Sequence, residues 1–130
     1  MIGLGSNINP ETHLEKAVKE LKSRFHVSRQ SSWSRTKPLG IKDQPDFLNG
    51  ALLMVTDLEQ KALKHELQEI ENRMGRDRSL PKNGPRVIDL DIVVWNKKIV
   101  DEDYYKRDFI RQGVAEILPD LKINRSLFGD

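Results

Sequence analysis

The stretch Val87-Ile88-Asp89-Leu90-Asp91-Ile92-Val93-Val94-Trp95 is the clearest strand in the chain. Ile88, Leu90, Ile92 and Val94 recur at every second position, the period of a strand, and Asp89 and Asp91 fall on the other side. One face should therefore meet a core while the other carries two carboxylates about 7 Å apart. Such a pair repels itself unless something positive lies between the two groups. Hard cations such as Mg²⁺ take oxygen ligands and commonly use one or two carboxylates, with substrate phosphates supplying the rest. Taken alone, the pair suits a solvated outer sheet face equally well.

The segment leading into this strand changes the balance. Residues 71–86 hold Arg73, Arg76, Arg78, Lys82 and Arg86 against only Glu71 and Asp77, whereas the whole chain has a net charge of just +2. Positive charge is thus concentrated in one loop, with Pro81, Gly84 and Pro85, that runs straight into the acidic strand. Cations beside a carboxylate pair suit a polyphosphate with its magnesium; the alternative is a charge-balanced, solvated loop. Further upstream, Asp46-Phe47-Leu48-Asn49 places Phe47 and Asn49 on one strand face, opposite Leu48. A flat aromatic beside an amide suits a planar heterocycle, stacked on its face and hydrogen-bonded at its edge. The structural alternative is a core Phe and a turn-associated Asn.

Around these segments the pattern alternates strands with helices. Met1–Asn7 reads as a short strand, followed by a helix with Asn9 as N-cap, Pro10 at its first position and an apolar stripe of Leu14, Ala17, Val18, Leu21 and Phe25. Residues 27–36 read as a strand and Phe47–Val55 as a stronger one. Leu58, Ala62, Leu63, Leu67, Ile70 and Met74 mark a second helix, ended by Gly75. Lys98–Val100 could pair back across a turn at Asn96-Lys97, and a third helix covers Asp108–Ile117. The fold class that follows is an α+β sandwich, helices packed on one sheet.

Composition narrows the function. With 130 residues and 37% hydrophobic content the chain suits one domain, 1–130. The absence of cysteine removes disulfide scaffolds, thiolate zinc sites, iron–sulfur clusters and thiol nucleophiles. A charge of +2 argues against nucleic acid as a partner. No apolar run is long enough for a membrane span, and no signal-peptide pattern is seen, so no membrane partner and a cytoplasmic location are expected. His13, His26 and His65 lack metal-ligand spacing, and neither a Walker A loop nor a GxGxxG is present.

The series Gly3-Leu4-Gly5-Ser6-Asn7, Pro38-Leu39-Gly40, Asp43-Gln44-Pro45-Asp46-Phe47-Leu48-Asn49, Glu71 through Gly75-Arg76, and Gly84-Pro85-Arg86-Val87-Ile88-Asp89-Leu90-Asp91-Ile92 resembles, in this order, the 6-hydroxymethyl-7,8-dihydropterin pyrophosphokinase family of folate biosynthesis. The likeness runs from about Ile2 to Leu121. It implies a ferredoxin-like fold on a mainly antiparallel sheet of four to six strands, and a monomer that acts on small molecules. The implied reaction transfers pyrophosphate from ATP, the co-substrate, to the pterin's hydroxymethyl oxygen, releasing AMP. Matched by motif position, Asp89 and Asp91 would hold two Mg²⁺ ions. Phe47 and Phe109 would sandwich the pterin, Asn49 would read its edge, and Thr36 and Leu39 would complete the pocket. Gln68, Glu71, Arg78, Lys82, Arg86, Ile92 and Arg107 fall where the family meets ATP, with Arg86 and Arg107 the cations expected on its phosphates and Arg86, Lys82, Asp89 and Asp91 the expected catalytic set. The chain departs from the family at Ile99–Arg107, where the segment is shorter and lacks a Pro-His pair, at Asn83, where an aromatic is common, and at Lys82, where an arginine is. These departures lie on the ATP side, so a relative that binds pterin or nucleotide without turnover is the alternative.

Overall fold

The computed structural model describes residues 1–81 and 84–121. The expectations placed on Lys82 and Asn83 lie outside the described residues. Five strands make the main sheet: β1 (Ile2–Ser6), β2 (His26–Gln30), β3 (Ser34–Thr36), β4 (Phe47–Val55) and β5 (Asp89–Ile92). Their order is β2-β4-β1-β5, with β3 continuing along β4 beyond β2, and every pairing is antiparallel. Helix α1 (Pro10–Arg24) carries the chain from β1 over to β2, and α2 (Gln60–Arg73) carries it from β4 over to β5. Each connection skips one strand, which is the split βαβ arrangement of a ferredoxin-like α+β fold.

The two helices form where apolar residues recur at helical spacing. Leu14, Ala17, Val18 and Leu21 of α1 and Leu63, Leu67 and Ile70 of α2 are buried against Ile2, Leu4, Leu52, Ile88 and Leu90 of the sheet. Truncating one of these leucines to alanine would cost about 2–5 kcal/mol. Pro10 opens α1 as expected, but Asn9 caps it differently: its backbone is left-handed (φ 42°, ψ 56°) and its side chain makes no capping bond. Asparagine tolerates that conformation better than most residues. Helix α2 ends at Gly75, whose φ of 94° lets the chain turn back towards β5.

Among the described residues, the opposite face of the sheet is covered at one end. There α3 (Asp108–Ile117) buries Val114 and Ile117 against Met1, Ala51, Val93, Val94 and Ile99. The strand read over Val87–Trp95 is broken at this point. The N–H groups of both Val93 and Val94 donate to the Met1 carbonyl (3.0 and 3.2 Å), so the chain leaves the ladder after Ile92. Both valines then bury in this second cluster, and Val94 does not share a face with Ile88 and Leu90 as its alternation suggested. A separate hairpin, β6 (Val94–Trp95) with β7 (Lys98–Ile99), turns at Asn96-Lys97, where both φ angles are positive (48° and 68°), as a tight two-residue hairpin turn requires.

The single strand expected over 27–36 is likewise two, for a local reason. The Ser31 hydroxyl accepts the Ala51 N–H at 2.8 Å, taking a place in the ladder that a backbone carbonyl would otherwise fill. The chain steps outward there and Trp33 folds its ring onto β4 at Gly50. No helix among the described residues is long and apolar enough to cross a membrane.

The Trp33–Gly50 contact leaves no room for a methyl group, since a Cβ on Gly50 would fall on the indole ring. Gly50→Ala should therefore destabilise by about 1–3 kcal/mol through overpacking. In urea unfolding followed by Trp fluorescence, the midpoint should fall while the slope is unchanged.

Candidate active site

The register of three adjacent strands builds the floor of a cavity. On the face away from α1 and α2, Gly5 of β1 lies between Asn49 of β4 and Asp89 of β5, and Gly3 lies between Ala51 and Asp91. The central strand thus contributes no side chain to this floor. A Cβ on Gly5 would stand 3.0 Å from the Asn49 Oδ1, and one on Gly3 would stand 3.3 Å from a Val93 methyl. The cavity above has a volume of about 640 Å³, within the range of small-molecule sites.

One end of the cavity is apolar and flat. Phe47 and Asn49 project into it from β4 while Leu48 packs into the core, as alternation requires. Thr36 of the paired β3 meets the Asn49 amide at 2.7 Å and fixes its plane. Leu39, more than half exposed on the preceding loop, and Phe109, in the first turn of α3, complete this end.

The other end is charged. Asp89 is met by two guanidiniums: Arg76 donates to its Oδ1 at 3.0 Å, and Arg86 lies 3.3 Å from its Oδ2. Arg76 also donates to the buried carboxylate of Glu71 at 2.5 Å and so bridges the two acids. Glu71 is saturated further by Arg78 (3.0 Å) and by the backbone N–H of Leu90 (2.8 Å). The last bond matters for the fold, because it satisfies a donor on the open edge of β5. Gln68 and Ile92 line the same wall, and Arg107 reaches it from the start of α3, 3.8 Å from Asp103.

Asp91 has a different environment. Among the described residues no salt bridge reaches it. Asp91 is an exposed residue where it opens on the cavity. Partial loss of water on its protein side pushes its carboxyl up to about 8, with smaller contributions from the negative charge of Asp89, a hydrogen bond to Asp89, and the charges of Asp101 and Glu71. Burial raises Asp101 as well, although it accepts the Asp103 N–H at 2.9 Å. Asp77, out in the basic loop, is held below the usual carboxylate range by the hydroxyl and N–H of Ser79.

These residues suit a divalent cation. Two carboxylates share one face of the sheet and open on the cavity. Among the described residues no group of three candidate ligands is found, so the described residues alone do not form a closed cage. A hard ion held by Asp89 and Asp91 would draw its other oxygens from phosphates and water, which is how Mg²⁺ is commonly bound.

Every expected site residue that can be described therefore lines one cavity: Thr36, Leu39, Phe47, Asn49, Gln68, Glu71, Arg78, Arg86, Asp89, Asp91, Ile92, Arg107 and Phe109. Glu71 arrives with its carboxylate already committed to protein donors. Sequence reasoning missed Arg76, which looked like one loop cation among several. It also missed the floor role of Gly3 and Gly5, although two glycines at strand period beside an acidic strand are a legible signal. Asp101 and Asp103 on the rim gave no signal, because they belong to the segment that departs from the family pattern.

Comparison with known proteins agrees with this geometry. Residues 1–119 match the family model described as 7,8-dihydro-6-hydroxymethylpterin-pyrophosphokinase. The chain is 38% identical to a 2-amino-4-hydroxy-6-hydroxymethyldihydropteridine pyrophosphokinase of Haemophilus influenzae, over 96% of this chain and 84% of that protein. It is also 38% identical to a Bacillus subtilis protein of the same name, over 89% and 75%. A folate synthesis bifunctional protein of Arabidopsis thaliana is 34% identical over 91% of this chain but only 26% of its own length. The chain belongs to the 7,8-dihydro-6-hydroxymethylpterin-pyrophosphokinase family.

Proposed function

We propose that this chain is a magnesium-dependent pyrophosphokinase, transferring the β,γ-pyrophosphoryl group of ATP to the hydroxymethyl oxygen of 6-hydroxymethyl-7,8-dihydropterin. The observation that carries this reading is the alignment of Asn49, Gly5 and Asp89 across three strands on one cavity face. It sets a ring pocket and a carboxylate pair on a common floor. The relatives' names, which specify this pterin and this transfer, support the same reading.

In the proposed reaction the hydroxymethyl oxygen forms a bond to the β-phosphorus. The bond from that phosphorus to the α–β bridging oxygen breaks, AMP leaves with the electron pair, and the hydroxyl proton is lost to solvent. Phe47 and Phe109 hold the flat ring by stacking, and the Asn49 amide, its plane fixed by Thr36, hydrogen-bonds the ring edge. Leu39 covers the ring from the loop. Arg86 and Arg76 leave Asp89 to take up phosphate oxygens, which a guanidinium chelates in pairs. Arg78 and Arg107 add positive charge to the wall, with Gln68 and Ile92 towards the nucleoside. Asp89 and Asp91 would hold two Mg²⁺ ions, which when bound neutralise charge on the transferring phosphates. The chain's own part is orientation and electrostatic complementarity, for which no side-chain base is needed.

With saturating ATP, Mg²⁺ and the hydroxymethyl pterin, the protein should release AMP stoichiometric with pterin diphosphate. Asp91→Asn should lower the rate at least about 100-fold. Absence of AMP above a protein-free control would overturn the reading.

The same variant separates function from stability. A carboxyl raised from 3.8 to about 8 keeps a proton in the native state that the unfolded chain has released. Stability therefore falls as pH rises from about 4 to about 8. Asp91→Asn removes this liability. In EDTA at pH 8 it should be more stable than the parent by about 1 kcal/mol, a figure discounted for the solvent-open tip, or about 4 °C in Tm. By pH 4 the difference should vanish, which thermal unfolding across the range would check.

A further inference from the structure

The two ends of the cavity are built by different segments, residues 37–46 for the ring and residues 74–81 and 84–88 for the phosphates. One buried side chain joins them. Asn7, directly after β1, is 2% exposed. Its N–H donates to the Arg86 carbonyl at 3.1 Å, and its Oδ1 accepts the Arg86 N–H at 2.8 Å. It thereby holds both backbone groups of the arginine whose guanidinium lies against Asp89. The Nδ2 of the same amide points the other way. It donates to the Gln44 Oε1 at 2.8 Å and to the Pro45 carbonyl at 3.1 Å, two residues before Phe47. Gln44 in turn donates to the Ile41 carbonyl at 2.6 Å, closing the ring-side loop on itself.

We propose that Asn7 is a positioning residue that couples the two substrate sites, so that nucleotide at Arg86 and Asp89 strengthens pterin binding at Phe47 and Asn49. This rests on the pyrophosphokinase reading above. The physical basis is that one amide fixes two loops at once. A nucleotide that draws Arg86 off Asp89 alters the segment Asn7 grips, and the change passes through a rigid, fully hydrogen-bonded amide to Pro45. Coupling of this kind is reciprocal: pterin must strengthen nucleotide binding by the same factor.

The chemistry of the amide provides a selective test. Asn7→Asp keeps an oxygen to accept the Arg86 N–H but replaces the donor with a second acceptor. That acceptor would face the Gln44 and Pro45 oxygens, so the ring-side half of the junction breaks while the phosphate-side half stays. Gln44→Ala loosens the same half more gently and leaves the Arg86 bonds untouched.

Calorimetric titration of the hydroxymethyl pterin, with and without a non-hydrolysable ATP analogue and Mg²⁺, reads the coupling as a ratio of pterin affinities. The unaltered chain should bind pterin about tenfold more tightly when nucleotide is present. In Asn7→Asp the ratio should fall below about twofold, with affinity for the nucleotide alone changed by less than about threefold; Gln44→Ala should lie between. A purely structural role would weaken both ligands and leave the ratio standing. An unchanged ratio in Asn7→Asp would overturn the inference; if that variant fails to fold, an unchanged ratio in Gln44→Ala does so. So would an unaltered chain that binds both ligands independently. A chain that binds neither ligand would instead overturn the pyrophosphokinase reading, and this inference with it.

Discussion

The site depends on the pairing of β1 between β4 and β5. Because side chains alternate along a strand, a one-residue slip on either side would move Asn49 or the two aspartates to the helix-covered face. What prevents the slip is the apolar set on that face. Ile2 and Leu4 must meet Leu52 and Leu90 under α1 and α2, and this match leaves Gly3 and Gly5 facing the cavity. The core thus fixes the chemistry indirectly: burial of leucine and isoleucine on one side sets where amide and carboxylates stand on the other. The glycines then allow a ligand to lie against backbone on the central strand.

Electrostatics at the charged end follow from burial as well. Glu71 is enclosed, and a carboxylate in that position needs strong donors. It finds them in Arg76, Arg78 and the Leu90 N–H, which ties the basic loop, α2 and the sheet edge into one network. Through Arg76 that network also supports Asp89, and among the described residues no cation pairs with Asp91. The asymmetry is informative. A neutral residue at Asp91 would suit stability better, so an acid there beside Asp89, Asp101 and Glu71 fits the cation site proposed above.

Much of this was legible in sequence because it rests on periodicity. The stripes of α1 and α2, the alternation through Phe47-Leu48-Asn49, and the Asp89/Asp91 face are local patterns, and several residues carrying the family resemblance fall on them. What was not legible depends on contacts distant in sequence. The break at Val93 arises from a shared hydrogen bond to Met1, and the break after β2 from Ser31 bonding Ala51. Arg76 and Arg78 stand two apart in a loop of similar cations, and only the folded position of Glu71 and Asp89 tells their roles apart. Asn7 was readable as part of Gly3-Leu4-Gly5-Ser6-Asn7, but its partners lie 37 to 79 residues away.

The segment before α3, which the family resemblance reads as short, still delivers Arg107 and Phe109 to the cavity. Glu102–Tyr105 forms a short 3₁₀ turn, started by the Asp101 side chain accepting the Asp103 N–H. The Arg107 N–H closes back on the Asp103 carbonyl at 3.0 Å, so the chain enters α3 without slack. Tyr104 and Tyr105 meet edge to face, 4.9 Å between centroids, and pack against the second core cluster, anchoring the turn. Further along α3, Val114 and Ile117 are buried in the same cluster. The helix is thus held from both directions, and its first turn carries Arg107 and Phe109 to the cavity wall. The same segment puts Asp101 and Asp103 on the cavity rim. They add negative charge to that end, so a triphosphate held there, as proposed, would rely on Arg86, Arg76 and a bound cation.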